Sequence, residues 1–219
     1  MLTLPSLLAH PDITLFAACS SRSDARKRFE DDFGGIAYAD YDAMLGNADV
    51  DAVYVATPHE LHMEHTVAAL EAGKCVLLEK PMAISLAQAT VIVDASKTYG
   101  KTVIVGPSHS FDPAVGEALQ LIKTGDFGKV KIVQSAYHTN FMYRPRRPEE
   151  LDTKRGGGVI FSQGAHQFDI ARMLAGGVGT SLVGQAGVWD ASRHSETAYT
   201  GLIHFAGGAV ANLTYSGND

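Results

Sequence analysis

Val50-Asp51-Ala52-Val53-Tyr54-Val55-Ala56-Thr57-Pro58, continued as far as Leu77-Leu78-Glu79-Lys80-Pro81, is the stretch whose reading decides the fold. Residues 51–56 and 74–78 are short apolar runs, each the length of one strand, and about 60–72 reads as a helix ended by Gly73. Both runs are continuously apolar instead of alternating, the pattern of strands covered on two faces in a parallel sheet. Each ends in a small, polar, proline-marked turn. In open parallel sheets ligands bind in the crevice outside the carboxyl ends of the strands. Thr57-Pro58 and Glu79-Lys80-Pro81 are therefore expected to line one edge of a cleft, with Lys80 as its strong cation.

Upstream, residues 2–10 read as a short helix and 13–19 as a strand. Ser21-Arg22-Ser23-Asp24 can cap a helix that runs to about Phe33 and closes at Gly34-Gly35. Ile36-Ala37-Tyr38 is a short strand, and Asp40 an N-cap for a helix over 41–46. Downstream, 85–99 is helical up to Gly100 and 102–105 is a strand. The alternation predicts an α/β, Rossmann-like doubly wound parallel sheet over residues 1–107. Beyond Gly106-Pro107 the pattern changes. Pro113–Thr124 is a helix, 129–138 a partly alternating strand, 139–155 a polar loop rich in proline and arginine, and 156–175 includes a helix. Residues 181–189, 197–206 and 208–215 read as antiparallel strands, with a hairpin at Gly207-Gly208. Residues 108–219 are thus expected to form an α+β substrate and oligomerisation domain on an open, mainly antiparallel sheet.

The N-terminal end departs from the usual nucleotide-binding pattern. Such a domain opens with a strand and a glycine-rich turn that lets the backbone approach a pyrophosphate. No G-x-G-x-x-G precedes the first helix, and Gly34-Gly35 and Gly156-Gly157-Gly158 lack the strand–turn–helix context. Either the chain binds no dinucleotide, or its first strand and phosphate loop are absent; the downstream spacing favours the second.

Composition narrows the classes. The 219 residues can bury a sizeable core, and 46% hydrophobic with 19% charged residues is a globular balance. A net charge of -6 argues against a nucleic-acid partner while leaving room for an anionic small-molecule substrate. Cys19 and Cys75 lie in apolar runs and read as reduced core residues of a cytoplasmic protein. No apolar run is long enough to span a membrane, and the first residues do not read as a signal peptide.

Several pieces together resemble the glucose–fructose oxidoreductase/inositol dehydrogenase/MocA (Gfo/Idh/MocA) family. They are Asp51–Pro58 with His62, Ala69-Leu70-Glu71-Ala72-Gly73-Lys74, Glu79-Lys80-Pro81, Gly125-Asp126-Phe127-Gly128-Lys129, and Gly156-Gly157-Gly158 leading to His166. Members are considerably longer, so the chain is expected to be truncated at both ends. The segment Phe141–Asp152 looks like that of phthalate 4,5-dihydrodiol dehydrogenases. The resemblance implies an NAD- or NADP-dependent dehydrogenase acting on a secondary alcohol of a sugar, cyclitol or cis-dihydrodiol, working as a homo-oligomer through the second-domain sheet. A non-catalytic small-molecule-binding or regulatory member, or an inactive fragment, is the alternative.

Lys80 is the first candidate catalytic residue, as a base or as a hydrogen-bond donor; a solvated loop lysine is the plain alternative. To act as a base near neutrality its pKa must fall by about three, about 4 kcal/mol of differential interaction. Lys80-Pro81 is a candidate cis peptide. His166 is the second candidate. Ser162, His166 and Asp169 fall on one stripe of a helix, where the acid could fix the tautomer of the histidine. The family usually has an acid where Ser162 stands, which leaves Lys80 and His166 as the expected pair. Ser20 and Arg22, at the end of the strand 13–19, are placed at the adenosine ribose, and an Arg without an acid there leans towards NADP. Thr57, Pro58, His62, Glu79 and Lys80 are the remaining cofactor candidates. Tyr143, Arg144 and Arg146, with Ser162, are the substrate candidates, because guanidinium forks suit carboxylates. The arginine loop could equally pair with Glu149, Glu150 and Asp152 or meet another subunit. His59, His62 and His65 are spaced three and three, which does not favour a metal site.

Overall fold

The structure, a computed structural model, describes residues 3–106 and 108–218. Leu2 of the expected first helix and Pro107 at the expected change of pattern lie outside the described residues. The order of elements begins α1 (Thr3–Ala9), β1 (Ala17–Cys19), α2 (Ser23–Phe33), β2 (Ile36–Tyr38), α3 (Tyr41–Leu45) and β3 (Ala52–Val55). It continues with α4 (His62–Glu71), β4 (Cys75–Glu79), α5 (Leu86–Tyr99), β5 (Val103–Gly106) and α6 (Pro113–Thr124). The last elements are β6 (Ile132–His138), α7 (Ala165–Ala175), β7 (Gly179–Gly187), β8 (Ala198–Phe205) and β9 (Val210–Ser216). Contacts divide the chain into two compact units that interleave along the sequence. One comprises Met1–Val55, Glu64–Leu77 and Val91–Ile104, the other Ala56–Met63, Leu78–Thr90 and Val105–Asp219.

The first unit is the Rossmann-like part. β1 and β2 pair in parallel as a two-stranded sheet, and β3, β4 and β5 form a second sheet in that order. Its strands are joined by helices, as parallel pairing requires. Ala69 and Leu70 of α4 and Ile92 of α5 are fully buried, the Leu and Ile side chains each contributing about 1.5–3 kcal/mol. Helix ends follow local chemistry. Asp40 accepts from the amide of Ala43 at 2.7 Å, and Gly34 takes φ 68 to close α2, its N–H donating to Glu30 O. Two expectations need correction. The strand 13–19 shrinks to Ala17–Cys19, because its only partner among the described residues, β2, offers three residues for a ladder. The cap of α2 is Arg22 with no side-chain cap bond; the Ser20 hydroxyl accepts from the Arg22 amide instead.

The second unit is built on a four-stranded sheet ordered β6-β9-β8-β7, parallel between β6 and β9 and antiparallel elsewhere. Tyr199, Ile203 and Phe205 on β8 and Ala211, Leu213 and Tyr215 on β9 are buried at every second position or nearly so, giving the sheet one inner face. Tyr199 and Tyr215 face each other across the ladder with ring centroids 5.8 Å apart, and Phe168 of α7 stacks on Tyr199 at 5.8 Å. Gln167 ties α7 to the sheet: it accepts from the Tyr199 hydroxyl and donates to Ser135 Oγ at 2.7 Å. His166 precedes Gln167, so the same contacts fix the start of the helix that carries it.

Candidate active site

Apart from Ser20 and Arg22, the candidate residues belong to the second unit, which takes in the turns after β3 and β4, the turn after β5, the arginine loop and the start of α7. His62, wholly buried, has Nδ1 2.8 Å from the Pro81 carbonyl and Nε2 3.0 Å from the Thr57 carbonyl. A neutral imidazole carries one N–H and can donate to one of them; a doubly protonated ring can donate to both. Either way the ring straps the two strand-end turns together. The Lys80-Pro81 peptide is cis. His59 lies in the 3-10 turn His59–Leu61, with Nδ1 2.9 Å from the carbonyl of Gly156. Burial pushes its pKa below the usual histidine range; the Gly156 contact opposes this, and the neighbouring charges of His62 and Lys80 reinforce it.

Lys80 donates from Nζ to the backbone carbonyl of Ser162 at 2.8 Å. This half-buried, hydrogen-bonded head excludes the solvated-loop alternative. Ser162 lies in a π-helical turn, Ile160–Gly164, immediately before α7, and such turns leave carbonyls with irregular partners. The bond is to a neutral acceptor, so it lends the ammonium none of the ion-pair stabilisation a carboxylate would. Burial pushes the Lys80 pKa down; Glu79 opposes, Arg146 assists and Glu150 opposes. That is the direction a proton acceptor near neutrality requires.

His166 sits in the first turn of α7 and is 7% exposed. Burial first, then the charges of Lys80 and His109, push its pKa down to about 4, with Asp169 opposing. The expected His166–Asp169 bond does not form. His166 Nδ1 is buried without a partner, while Asp169 accepts from the Ser110 hydroxyl and from Arg172, Nη2 at 2.8 Å and Nε at 3.2 Å. The Asp169 carboxylate is taken by Ser110 and Arg172, and the π turn over 160–164 removes Ser162 from the regular α-helical register that His166 and Asp169 share in α7. His109, in the 3-10 turn Ser108–Phe111, lies over His166 with ring centroids 4.0 Å apart and planes 21° from parallel.

A cavity of about 480 Å³ adjoins Lys80 and Asp169, walled by Pro81, Met82, Val105, Phe111 and Met173. Its size and apolar lining with a few polar groups suit a small molecule.

The arginine loop divides. Arg146 is the inward one: its guanidinium stacks 3.8 Å over the Phe141 ring and pairs with Glu150 at 3.5 Å. Arg147 pairs with Glu149 and Glu150, so the expected pairing with those acids is present. Arg144, exposed, donates to Asn140 Oδ1 at 2.8 Å, and the Tyr143 hydroxyl donates to Asp190 at 3.1 Å. Glu79 accepts from the Lys80 amide at 3.2 Å. Ser20 and Arg22 belong to the first unit, and Arg22 is paired with Asp24. Of the three spaced histidines, His65 packs at a tilt against the Tyr41 ring within the first unit, centroids 4.9 Å apart.

The Gfo/Idh/MocA model described as an oxidoreductase family with an NAD-binding Rossmann fold matches residues 2–107, and the model of the GFO/IDH/MocA C-terminal domain matches residues 115–219. The chain belongs to the Gfo/Idh/MocA oxidoreductase family. A 1-carboxy-3-chloro-3,4-dihydroxycyclohexa-1,5-diene dehydrogenase of Comamonas testosteroni is 44% identical over 218 residues, 99% of this chain and 55% of that protein. A solved structure from Bordetella bronchiseptica RB50 is similar with TM-score 0.95 and 36% identity, over 99% of this chain and 57% of that one. An aldose-aldose oxidoreductase from Caulobacter crescentus, crystallised with glycerol, has TM-score 0.87 and 26% identity, over 99% of this chain and 67% of that one. The chain spans about half the length of the curated relatives it matches.

Within this Gfo/Idh/MocA frame, sequence reasoning passed over His109, Ser110 and Glu150. The signal for the first two was available. They follow the carboxyl end of β5, where the rule that singled out Thr57 and Lys80 applies equally. Glu150 was read only as a counter-charge for the arginines, and its influence on Lys80 depends on how the 139–155 loop folds back.

Proposed function

We propose that this chain carries the proton-handling machinery of an NAD(P)-dependent dehydrogenase for a carboxylated cyclic cis-diol. The observation that carries the reading is the half-buried Lys80 ammonium at the carboxyl end of β4, held by the neutral carbonyl of Ser162. The named activity of the Comamonas testosteroni relative supports the substrate class. Lys80 holds the substrate hydroxyl and, as the free amine, accepts its proton while the hydroxyl carbon becomes a carbonyl. His166, uncharged near neutrality, is a second hydrogen-bonding group for the same or the adjacent hydroxyl. The ring of the diol suits the apolar cavity beside Lys80, and Arg146, preset by Phe141, suits its carboxylate.

The nicotinamide end of the cofactor fits the residues present: His62 fixes the two strand-end turns that bear Thr57, Pro58, Glu79 and Lys80. The sequence holds no glycine-rich strand–turn–helix for the pyrophosphate. When bound, the oxidised nicotinamide supplies the hydride acceptor. Ser20 and Arg22 are proposed at the adenosine ribose, and the lean to NADP requires Arg22 to leave Asp24, a surface pair of small energetic weight.

Self-association is part of the proposal. The four strands of the second-unit sheet contain no Asp, Glu, Lys or Arg, and Ile132, Val183 and Leu202 stand exposed on one face, which supports a contact with a second copy.

The test is nicotinamide reduction by the purified protein with NAD or NADP and a panel of a carboxylated cyclohexadiene cis-diol, its uncharged counterpart, an inositol and an aldose. Reduction fastest with the carboxylated diol is expected. A protein that binds cofactor yet oxidises none of them overturns the reading.

A further inference from the structure

One ring contact beside Lys80 and His166 takes no part in the proton transfer. His109 is exposed on a short turn after β5, and it lies flat on a histidine that is 7% exposed. The next residue, Ser110, is 6% exposed and donates its hydroxyl to Asp169, one helical turn beyond His166. Two consecutive residues of the turn therefore meet two positions of α7 spaced i and i+3, which fixes both the distance and the register of the turn on the helix. Asp169 is held in turn by Arg172. His166 itself makes no hydrogen bond through Nδ1, so that bond cannot orient its ring.

We propose that His109 is a positioning residue for His166. Its ring covers the outer face of the His166 imidazole and sets the plane of that imidazole in place of the carboxylate that orients a histidine elsewhere. The Ser110–Asp169 bond is the anchor that keeps the cover in register. The mechanistic weight of this role rests on the dehydrogenase reading, but the contact and its test do not need turnover.

Covering one face has a measurable consequence. The charged and titratable groups acting on His166 are Lys80 at the end of β4, His109 in the turn after β5, and Asp169 on α7 itself. Lys80 and Asp169 act in opposite directions, and both remain when His109 is changed. Burial is the largest cause of the low His166 pKa, near about 4. If the His109 ring supplies a large part of that burial, a flat uncharged ring in its place preserves the effect and a methyl group does not. Water then reaches the imidazole and its protonated form becomes easier to make.

The experiment is an NMR pH titration of ring-labelled histidine in the 219-residue chain, with the His166 signal assigned from His166→Phe. Wild type is compared with His109→Phe and His109→Ala. The expected result is a His166 midpoint in His109→Phe within about half a pH unit of wild type, and one in His109→Ala raised by about one unit or more. Equal rises in the two variants would mean that the charge of His109, not its ring face, acts on His166, and would overturn the proposal. An unchanged midpoint in both would overturn it as well. Should His109→Ala fail to fold, His109→Phe decides alone: a rise of about one unit there contradicts the covering role. The dehydrogenase reading would fail separately, on absent nicotinamide reduction with the His166 titration intact.

Discussion

Replacing Gly158 by alanine should cost the protein a large part of its stability, and the structure shows where the cost arises. Gly158 adopts φ +80, in the left-handed region, and a Cβ there would lie 2.3 Å from Glu196 Oε1 and 2.6 Å from its Cδ. The backbone conformation alone costs alanine about 1–2 kcal/mol. Glu196 is 8% exposed and accepts from the Thr153 hydroxyl and from the Ile160 amide, the latter at 3.3 Å. Displacing it leaves buried polar groups without partners, about 1–3 kcal/mol more. The total of about 2–5 kcal/mol is a large share of the about 5–15 kcal/mol by which an ordinary domain is stable. Because Glu196 holds the amide that begins the turn before α7, the same change should loosen the seat of His166. Urea unfolding monitored by circular dichroism measures the loss, with an unchanged slope as the check that only stability moved. In a Glu196→Ala background the cost of Gly158→Ala should drop to the backbone part. A loss below about 1 kcal/mol, or the same loss in both backgrounds, refutes the argument.

Further outcomes follow from the same geometry. The folded-state pKa of His166, about 4, lies below its reference value of 6.5. The unfolded chain therefore takes up the extra proton first, and the stabilisation is full above about 6.5 and lost as pH falls towards about 4; His166→Phe should flatten the urea midpoint across this window, and an unaltered slope contradicts it. Arg146→Met, which keeps the packing on Phe141 but removes the fork, should raise KM for the carboxylated diol about tenfold or more while sparing the uncharged one; equal effects on both place the carboxylate elsewhere. Leu202→Asp on the exposed sheet face should reduce the particle mass seen by light scattering, and an unchanged mass removes that face as the self-contact.

Much of the fold was legible because its elements carry their own punctuation. Pro113 and Gly125 bound α6 at the residues expected, and Asp40, Gly34, Gly73 and Gly100 end or begin helices through local chemistry. The run 13–19 misled because apolarity signals burial but not the length of a partner, and β2 is three residues long. In the site, Lys80 was readable from its place at a strand end. Its partner was not: the carbonyl of Ser162 is available because of a π turn, and no side-chain pattern encodes that. The His166–Asp169 bond is absent for another reason: the carboxylate is taken by Arg172 on the same helix and by Ser110 from a turn distant in sequence, a competitor that spacing along α7 does not reveal. His109 was legible too, because it follows the carboxyl end of β5 as Lys80 follows that of β4.

Lys80→Met tests the central claim most directly. Methionine keeps the length of the stem and removes the proton acceptor at the end of β4. With fold and cofactor binding verified, kcat for oxidation of the preferred diol should fall about a hundredfold or more. A variant that turns over at the wild-type rate would show that the proton leaves by another route.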